Sequence, residues 1–189
     1  MKIFDKKMPF TKLSLQNLNR LSVSEFKQTE KLPLVLVLDN IRSALNVGSI
    51  FRTCDAFALE KLLLCGITAQ PPHREIMKTA LGSNETVAWE YFENTTAAIQ
   101  KLKENNFLVV GIEQVVESIF LDDTIFLTQQ NKPLALVLGN EVDGISDEAL
   151  ALCDYVVEIK QFGTKHSINV AVTAGIVAWF FSHHLKFNA

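Results

Sequence analysis

Polar and charged side chains follow apolar runs at three separated places in this sequence. They are, in chain order, Asn46 and Arg52, then Glu141, then Ser167 and Asn169. A guanidinium presents several donors in one plane and suits a phosphate or a carboxylate. Carboxylate, amide and hydroxyl groups bind the polar parts of a ligand. These residue types therefore indicate anion recognition next to a site for a polar small molecule.

The first place, residues 39–53, passes from an apolar run into a pattern typical of a helix. Apolar residues recur there at spacings of three and four, namely Val47, Ile50, Phe51 and Cys54. That stripe faces a core and leaves Ser49 and Arg52 on another face. We expect Arg52 to point outward, toward a phosphate or a partner's carboxylate. An ordinary surface ion pair is the plainer alternative.

The second place, residues 136–146, is an apolar run that ends in a glycine-containing loop. Gly139 has no Cβ and can let a ligand approach the backbone closely. Asn140 and Glu141 add hydrogen-bonding groups, and Ser146 can cap a helix that begins at Asp147. A turn into a capped helix, without any ligand, explains the same residues.

The third place, residues 159–172, leads through a polar loop into the last apolar helix. Ser167 is a suitable N-cap for that helix, which alone accounts for it. Ser167 and Asn169 also bring uncharged polar groups beside the backbone amides of the first turn, where a polar ligand can bind.

Five short apolar runs supply the elements that must position these residues. They cover residues 32–38, 61–65, 107–112, 134–138 and 155–159. Segments with helical spacing separate several of them. Because strands buried on both faces read as continuous apolar runs, the order predicts an α/β fold with a mostly parallel sheet flanked by helices. Ligands of open α/β sheets bind at the carboxyl ends of the strands, where the polar residues stand.

Length and composition limit the possible classes of protein. The chain has 189 residues, 48% of them hydrophobic, which is enough for one sizeable core. The three cysteines include no Cys-x-x-Cys pair, so we expect neither disulfides nor a metal, and a cytoplasmic location. The first residues do not resemble a signal peptide. The longest apolar run, residues 170–181, is too short to cross a membrane, which takes roughly 20 residues.

Charge divides the chain unevenly. Residues 1–31 carry seven basic and three acidic side chains, although the whole chain has a net charge of −3. Loosely helical apolar spacing in that segment predicts a basic N-terminal helical extension, followed by one domain over residues 32–189. The extension can meet nucleic acid, or it can simply be solvated.

The three motifs in this order resemble the SpoU/TrmH family of RNA methyltransferases. They read Asn46-x-Gly48-x-x-x-Arg52-Thr53, Gly139-Asn140-Glu141-x-x-Gly144 and Ser167-Ile168-Asn169-Val170. The likeness covers residues 34–185 and includes residues 78–82. It departs from the family where Lys160-Gln161 replaces a common proline and Ala171 replaces a frequent serine.

The resemblance implies methyl transfer from S-adenosylmethionine to a ribose 2′-hydroxyl of structured RNA, either tRNA or rRNA. It also implies a homodimer and a C-terminal trefoil knot. The knot is an expectation from family likeness alone, because chains generally avoid threading. The aromatic end of the last helix, with Trp179, Phe180 and Phe181, fits either a dimer interface or the core.

Residue roles follow from the matched motifs. The catalytic positions are Asn46, Arg52, Glu141, Ser167 and Asn169. The cofactor-binding positions are Ile112, Glu113, Gly139, Ile159, Ser167 and Ile168. A guanidinium, with a pKa above about 12, is a poor base at neutral pH. We therefore expect Arg52 to orient an RNA phosphate and to stabilise negative charge on the attacking oxygen. We expect His166 to make a loop or RNA contact.

Two alternatives stay open at this stage. One is an RNA-binding protein of the same fold without catalysis, which would not bind S-adenosylmethionine. The other is an unrelated nucleotide-binding α/β enzyme, although the chain has neither Gly-x-Gly-x-x-Gly nor Gly-x-x-x-x-Gly-Lys-Ser/Thr.

Overall fold

A computed structural model describes residues 13–14, 21–165 and 167–185. The strands are β1 (Leu32–Asp39), β2 (Leu59–Cys65), β3 (Trp89–Phe92), β4 (Leu108–Ile112), β5 (Ile119–Phe120), β6 (Leu134–Leu138) and β7 (Tyr155–Glu158). The helices are α1 (Val23–Gln28), α2 (Ala44–Ala56), α3 (Arg74–Ala80), α4 (Ser83–Thr86), α5 (Thr95–Glu104), α6 (Asp147–Leu150) and α7 (Val170–His184). Two short 3₁₀ turns lie between β5 and β6.

The strands form one sheet in the order β3-β2-β1-β6-β4-β7-β5, and every pair in it is parallel. The predicted α/β class is thus confirmed. Leu138 of β6 is in register with both Leu38 of β1 and Ile112 of β4. Since parallel strands end at the same edge, the residues that follow these three strands meet there.

Alternating side chains of the central strands pack against helices on both faces of the sheet. Leu34, Leu36 and Leu38 belong to one core cluster, which includes residues of α2 and α7. Val35 and Val37 belong to a second cluster, which includes residues of α5 and α6. Burial on both faces is the physical reason why β1 reads as an uninterrupted apolar run.

All five predicted strands are present, with ends shifted by at most two residues. The sequence interpretation missed β3 and β5, which form the two edges of the sheet. Their residues are mostly half-buried rather than buried, so no continuous apolar run marks them. It also missed α3 and α4, whereas the exposed helix α1 lies within the segment for which a helical extension is predicted.

Several predictions fall on residues outside those described. They concern His166 and, in the proposed extension, residues 1–12 and 15–20. The division between residues 31 and 32 and the trefoil knot stay predictions. Among the described helices, none combines the length and the apolar character that a membrane span requires.

Candidate active site

A cavity of about 450 Å³ opens at the carboxyl edge of the sheet, where β4, β6 and β7 end. Its lining consists of residues 112–114, 138–144, 158–159, 161, 167–170 and 173. All six residues predicted to hold a cofactor are among them. Three of the five predicted catalytic residues, Glu141, Ser167 and Asn169, line it as well. Its size falls within the range of about 300–1,000 Å³ that is usual for small-molecule sites.

Hydrogen bonds connect one side chain from each of the three motifs at the edge of this cavity. Asn169 donates from Nδ2 to Oδ1 of Asn46 over 3.3 Å. Asn46 donates from its own Nδ2 to Oε1 of Glu141 over 2.6 Å. The three residues are 95 and 123 positions apart in sequence, counted from Asn46. The fold therefore brings together residues that the sequence could relate only by their order.

The chemistry of the partners determines how each amide in this chain is oriented. An ionised Glu141 only accepts, so Asn46 must turn its NH₂ toward it and present Oδ1 to Asn169. Asn169 then donates its NH₂, and its Oδ1 accepts from the backbone N–H of Ala171 and Val172 at the start of α7. Each amide nitrogen in this chain donates and each amide oxygen accepts, so the three side chains have only one consistent arrangement.

Asn169 is therefore the N-cap of α7, and the prediction that Ser167 caps this helix is wrong. Both residues stand ahead of Val170 in the sequence, and both serine and asparagine are common caps. In the structure, Ser167 lies two residues before the cap, exposed on the cavity wall. Its hydroxyl is thereby available to a ligand instead of to the helix.

The loop after β6 forms a tight turn that presents Glu141. Asn140 exchanges backbone hydrogen bonds with Gly144, and its Oδ1 accepts from the N–H of Val142 and of Asp143, both over 2.9 Å. Gly144 has a φ of +71°, which favours glycine. A Cβ on Gly139 would overlap the backbone of Gly144 where the turn closes. A glycine is therefore needed at position 139 because the loop backbone packs against it. This packing explains the glycine without a ligand.

Glu113 joins this loop to β4. Its carboxylate accepts from the backbone N–H of Ile145 over 3.1 Å and from that of Gln114 over 2.8 Å. A Cβ on Gly144 would overlap the same carboxylate. The predicted cofactor residue therefore lines the cavity and also holds one of its walls in place.

Asp39, at the end of β1, was missed as a site residue by the sequence interpretation. It is buried, with 1% of its surface exposed. Its Oδ2 accepts from the backbone N–H and the hydroxyl of Ser146, and its Oδ1 accepts from Thr95 and Asn40. Ser146 precedes α6 as predicted, but its hydroxyl binds Asp39 and does not cap that helix. An acidic residue ending an otherwise apolar strand was the available signal.

Arg52 is the one predicted residue that the fold separates from the others. It lies on α2, six residues after Asn46, and is exposed as predicted. Six residues of helix correspond to about 9 Å along the axis and a different face. Arg52 is absent from the cavity lining and has no hydrogen bond or ion pair with any residue that the structure describes. Its guanidinium thus faces solvent.

Close packing of α2 against α3 explains the glycine of the first motif. A Cβ on Gly48 would overlap the Thr79 hydroxyl and approach the carbonyl of Ile76. Thr79 donates to the carbonyl of Leu45 over 2.9 Å, which ties the two helices together beside Asn46. Residues 78–82, noted in the sequence for their likeness to the family, thus support the first motif.

Carboxylates predominate among the charged groups of the cavity. Glu113, Glu141, Asp143 and Glu158 line it, and no basic residue does so among those described. Asp143 is paired with Arg42 over 3.2 Å at an exposed position. The cavity therefore favours a ligand with positive charge. Over the described residues, no cluster of three or more histidine, cysteine or acidic side chains has a geometry that could hold a metal ion.

The sequence of this chain is similar to those of known proteins. The model of the SpoU rRNA Methylase family matches residues 33–179. A 23S rRNA (guanosine-2'-O-)-methyltransferase, RlmB of Neisseria meningitidis, is 32% identical over 145 residues, which are 77% of this chain and 56% of that protein. The chain thus spans little more than half the length of that curated relative.

Solved structures share the fold. The TrmH/SpoU tRNA modifying enzyme of A. aeolicus superposes with a TM-score of 0.75 and 25% identity, over 86% of this chain and 80% of that one. The AdoMet-bound rRNA methyltransferase of Sinorhizobium meliloti gives a TM-score of 0.74 and 26% identity, over 85% of this chain and 60% of that one.

Proposed function

Because the chain belongs to the SpoU rRNA Methylase family, we propose that it transfers a methyl group from S-adenosylmethionine to a ribose 2′-hydroxyl of a structured RNA. The observation that carries the proposal is the hydrogen-bonded chain Asn169–Asn46–Glu141 beside the cavity. It unites the three motifs in one place with one orientation for each side chain.

The cavity fits the proposed cofactor in size and in charge. S-adenosylmethionine is a small molecule with a sulfonium, an ammonium and a carboxylate group, so its net charge is positive, and the cavity offers about 450 Å³ lined with carboxylates. Ile112, Ile159 and Ile168 supply apolar surface for a flat ring. Glu113, Glu158 and Ser167 supply acceptors for polar groups. When bound there, S-adenosylmethionine supplies an electrophilic methyl group.

Glu141 is the residue that we assign to the ribose hydroxyl. Its Oε1 accepts from Asn46, and its Oε2 makes no hydrogen bond to any described residue. Oε2 would accept a hydrogen bond from the 2′-hydroxyl and take up its proton as the ribose oxygen bonds to the methyl carbon. The bond from that carbon to the sulfonium sulfur would break, and the sulfur would leave as a neutral thioether. Asn46 and Asn169 keep this carboxylate in position, so little reorganisation is needed at the moment of reaction.

Arg52 acts on the RNA backbone in this proposal. Its exposed guanidinium has no protein partner among the described residues and suits bidentate contact with a phosphate. Arg52→Lys keeps the charge but loses the fork of donors, so we expect weaker RNA binding and slower turnover. Near-normal turnover at unchanged RNA affinity would count against the role.

The proposal includes a homodimer that acts on tRNA or rRNA in the cytoplasm. Support for the dimer comes from α7, which buries Phe181 and leaves Val172 and Trp179 52% and 53% exposed. Apolar surface of this kind marks interfaces between proteins. Sedimentation at several concentrations tests it, and a monomer at all concentrations would contradict it.

The cytoplasmic location is supported by three free cysteines.

Methyl transfer is tested with S-adenosylmethionine carrying a labelled methyl group and a pool of unmodified tRNA and rRNA transcribed in vitro. We expect label in RNA at 2′-O-methyl positions. Mapping those positions in RNA from cells with and without the protein then identifies the target nucleotide. Calorimetric titration with S-adenosylmethionine separates the alternatives, because a non-catalytic RNA-binding protein would show no binding.

Glu141→Gln tests the role of the carboxylate. The amide preserves size but cannot take up the proton, so we expect turnover to fall by about 10²- to 10⁴-fold with little change in cofactor affinity. Glu148→Gln is the matched control, because it makes the same exchange at an exposed position on α6 outside the cavity lining. Turnover in Glu141→Gln equal to that in Glu148→Gln would refute the assignment.

A further inference from the structure

Two aromatic rings and a lysine form an exposed patch next to the cavity, which we call the Phe162 patch: Phe120, Lys160 and Phe162. The Lys160 ammonium lies 5.2 Å from the centre of the Phe120 ring and 5.6 Å from that of Phe162. Both distances fall within the range of about 6 Å for a cation–π contact. Phe162 is 88% exposed and Phe120 39% exposed.

The patch and the cavity share one loop. Ile159 and Gln161 line the cavity, and Lys160 and Phe162 alternate with them along the chain. Phe120 belongs to the edge strand β5 and is in register with Glu158 of β7, which also lines the cavity. The patch therefore borders the space in which the methyl group would be transferred, on the side of the β5 edge.

Two lysines near these rings are not paired with acidic side chains among the described residues. Lys160 and Lys165 are both exposed, and neither forms an ion pair or a hydrogen bond with any residue that the structure describes. Asp122 and Asp123 follow Phe120 and limit the basic surface on that side. The loop from residue 160 to residue 165 is thus a short cationic segment that carries a solvent-exposed ring.

From these contacts we infer that the Phe162 patch binds the RNA substrate by stacking an unpaired nucleobase next to the target ribose on the Phe162 ring, while Lys160 contacts a phosphate. The inference rests on the proposed function, which supplies RNA as the substrate. Aromatic rings with adjacent cations are the usual means of holding unpaired nucleotides, because every base has a π face and every linkage a negative charge.

Charge favours RNA over a second copy of this chain as the occupant. An interface between copies would bury Lys160 against an identical patch and bring like charges together. A phosphate neutralises the same lysine, and a base covers the ring that is left exposed. The test below nevertheless distinguishes RNA from a second copy, because loss of a dimer in Phe162→Ala would indicate the second copy.

The test compares Phe162→Ala, Phe162→Leu and Phe162→Trp in methyl transfer to the pool of tRNA and rRNA transcripts. Leucine retains apolar bulk without a π face, and tryptophan retains the face. We expect the KM for RNA to rise about 10-fold in the alanine and leucine variants and to stay within about twofold of the original in the tryptophan variant. The turnover number at saturating RNA and the affinity for S-adenosylmethionine should change by less than about twofold.

A salt series tests the lysine separately. Lys160→Ala should reduce the slope of log affinity against log salt concentration by roughly 0.7 to 1, as expected for the loss of one phosphate contact. Lys132→Ala removes one exposed charge just before β6, at the amino-terminal end of that strand and therefore at the end opposite the cavity, and should leave the slope unchanged.

Three results would overturn the inference: an unchanged KM for RNA in Phe162→Ala, an unchanged KM for RNA in Phe162→Leu, or loss of a dimer in Phe162→Ala by sedimentation. The first two exclude stacking, and the third assigns the patch to a contact between copies. Failure of the proposed function is distinguishable, because the unaltered protein would then bind the transcripts without transferring a methyl group. In that case fluorescence anisotropy measures RNA affinity instead of KM. The Phe162→Ala and Phe162→Leu variants should then bind RNA about 10-fold more weakly than the unaltered protein.

Discussion

Replacement of Asp39 by asparagine tests how the site is attached to the sheet. Asp39 is buried, and its carboxylate accepts four hydrogen bonds: from the Ser146 N–H over 2.7 Å, from the Ser146 hydroxyl over 2.8 Å, from Asn40 over 2.8 Å and from Thr95. An amide has one acceptor oxygen, so it cannot reproduce this set.

The expected cost follows from the geometry of those four donors. In the best arrangement the new oxygen faces Ser146, and the new nitrogen faces Thr95, whose hydroxyl can reverse and accept. The bond from Asn40 is then lost, because Asn40 already accepts from the N–H of Ile67 with its own oxygen. Losing one bond to a charged group and the charge assistance of the others costs about 3 kcal/mol. For a chain of this length, that lowers Tm by about 6–12 °C.

Urea unfolding followed by circular dichroism measures the change in the free energy of unfolding. Asp143→Asn is the control, because its ion pair is exposed and should contribute less than about 1 kcal/mol. A loss of less than about 1 kcal/mol in Asp39→Asn would show that the carboxylate is not the anchor that its contacts indicate. An equal loss in both variants would refute the reasoning in the same way.

Three further predictions follow from other contacts. Gly48→Ala should destabilise the protein by about 1–3 kcal/mol in the same assay, because its Cβ would overlap Thr79 where α2 and α3 meet; an unchanged midpoint would contradict the close packing. Asn46→Ala should lower turnover about 100-fold with S-adenosylmethionine affinity unchanged by calorimetry, because Glu141 loses its orienting donor; near-normal turnover would speak against the hydrogen-bonded chain as the catalytic arrangement. Burial raises the pKa of Cys65 and of Cys153 to about 12, so only about one thiol in 10⁴ is ionised at pH 8, and a thiol reagent should label them slowly until urea is added. Fast labelling of the native protein would disprove the burial.

Strands in the middle of the sheet were predictable, and those at its edges were not. Residues 32–38 and 134–138 are apolar throughout because helices cover both faces of these strands. In β3, by contrast, Trp89 and Phe92 are half-buried and Tyr91 is 37% exposed, so its sequence carries no strong pattern. A two-residue strand such as β5 is defined only by the neighbour that it pairs with.

Within the three motifs, the shared location was predictable, but the roles of individual residues were not. The order of the motifs predicts one shared site, and all of the predicted site residues except Asn46 and Arg52 line the cavity. Serine and asparagine are about equally common caps, so sequence preference could not decide between Ser167 and Asn169. The start of α7 at Val170 decides it, because it places the Asn169 side chain next to the backbone N–H groups of Ala171 and Val172. Gly139 is required because the backbone of Gly144 packs directly against its Cα. The spacing of residues in the sequence does not reveal this contact.

The α/β class, the carboxyl-edge location of the candidate site and the residue types there were predictable from the amino-acid sequence, because burial and hydrogen-bonding capacity are properties of individual residues in local patterns. Three features could not be read from the sequence: Asn46 lies between Asn169 and Glu141, Asp39 binds Ser146 just after the second motif, and Arg52 lies outside the cavity lining. Those facts depend on the register of parallel strands and on helix rotation, which place residues about 100 positions apart within hydrogen-bonding distance.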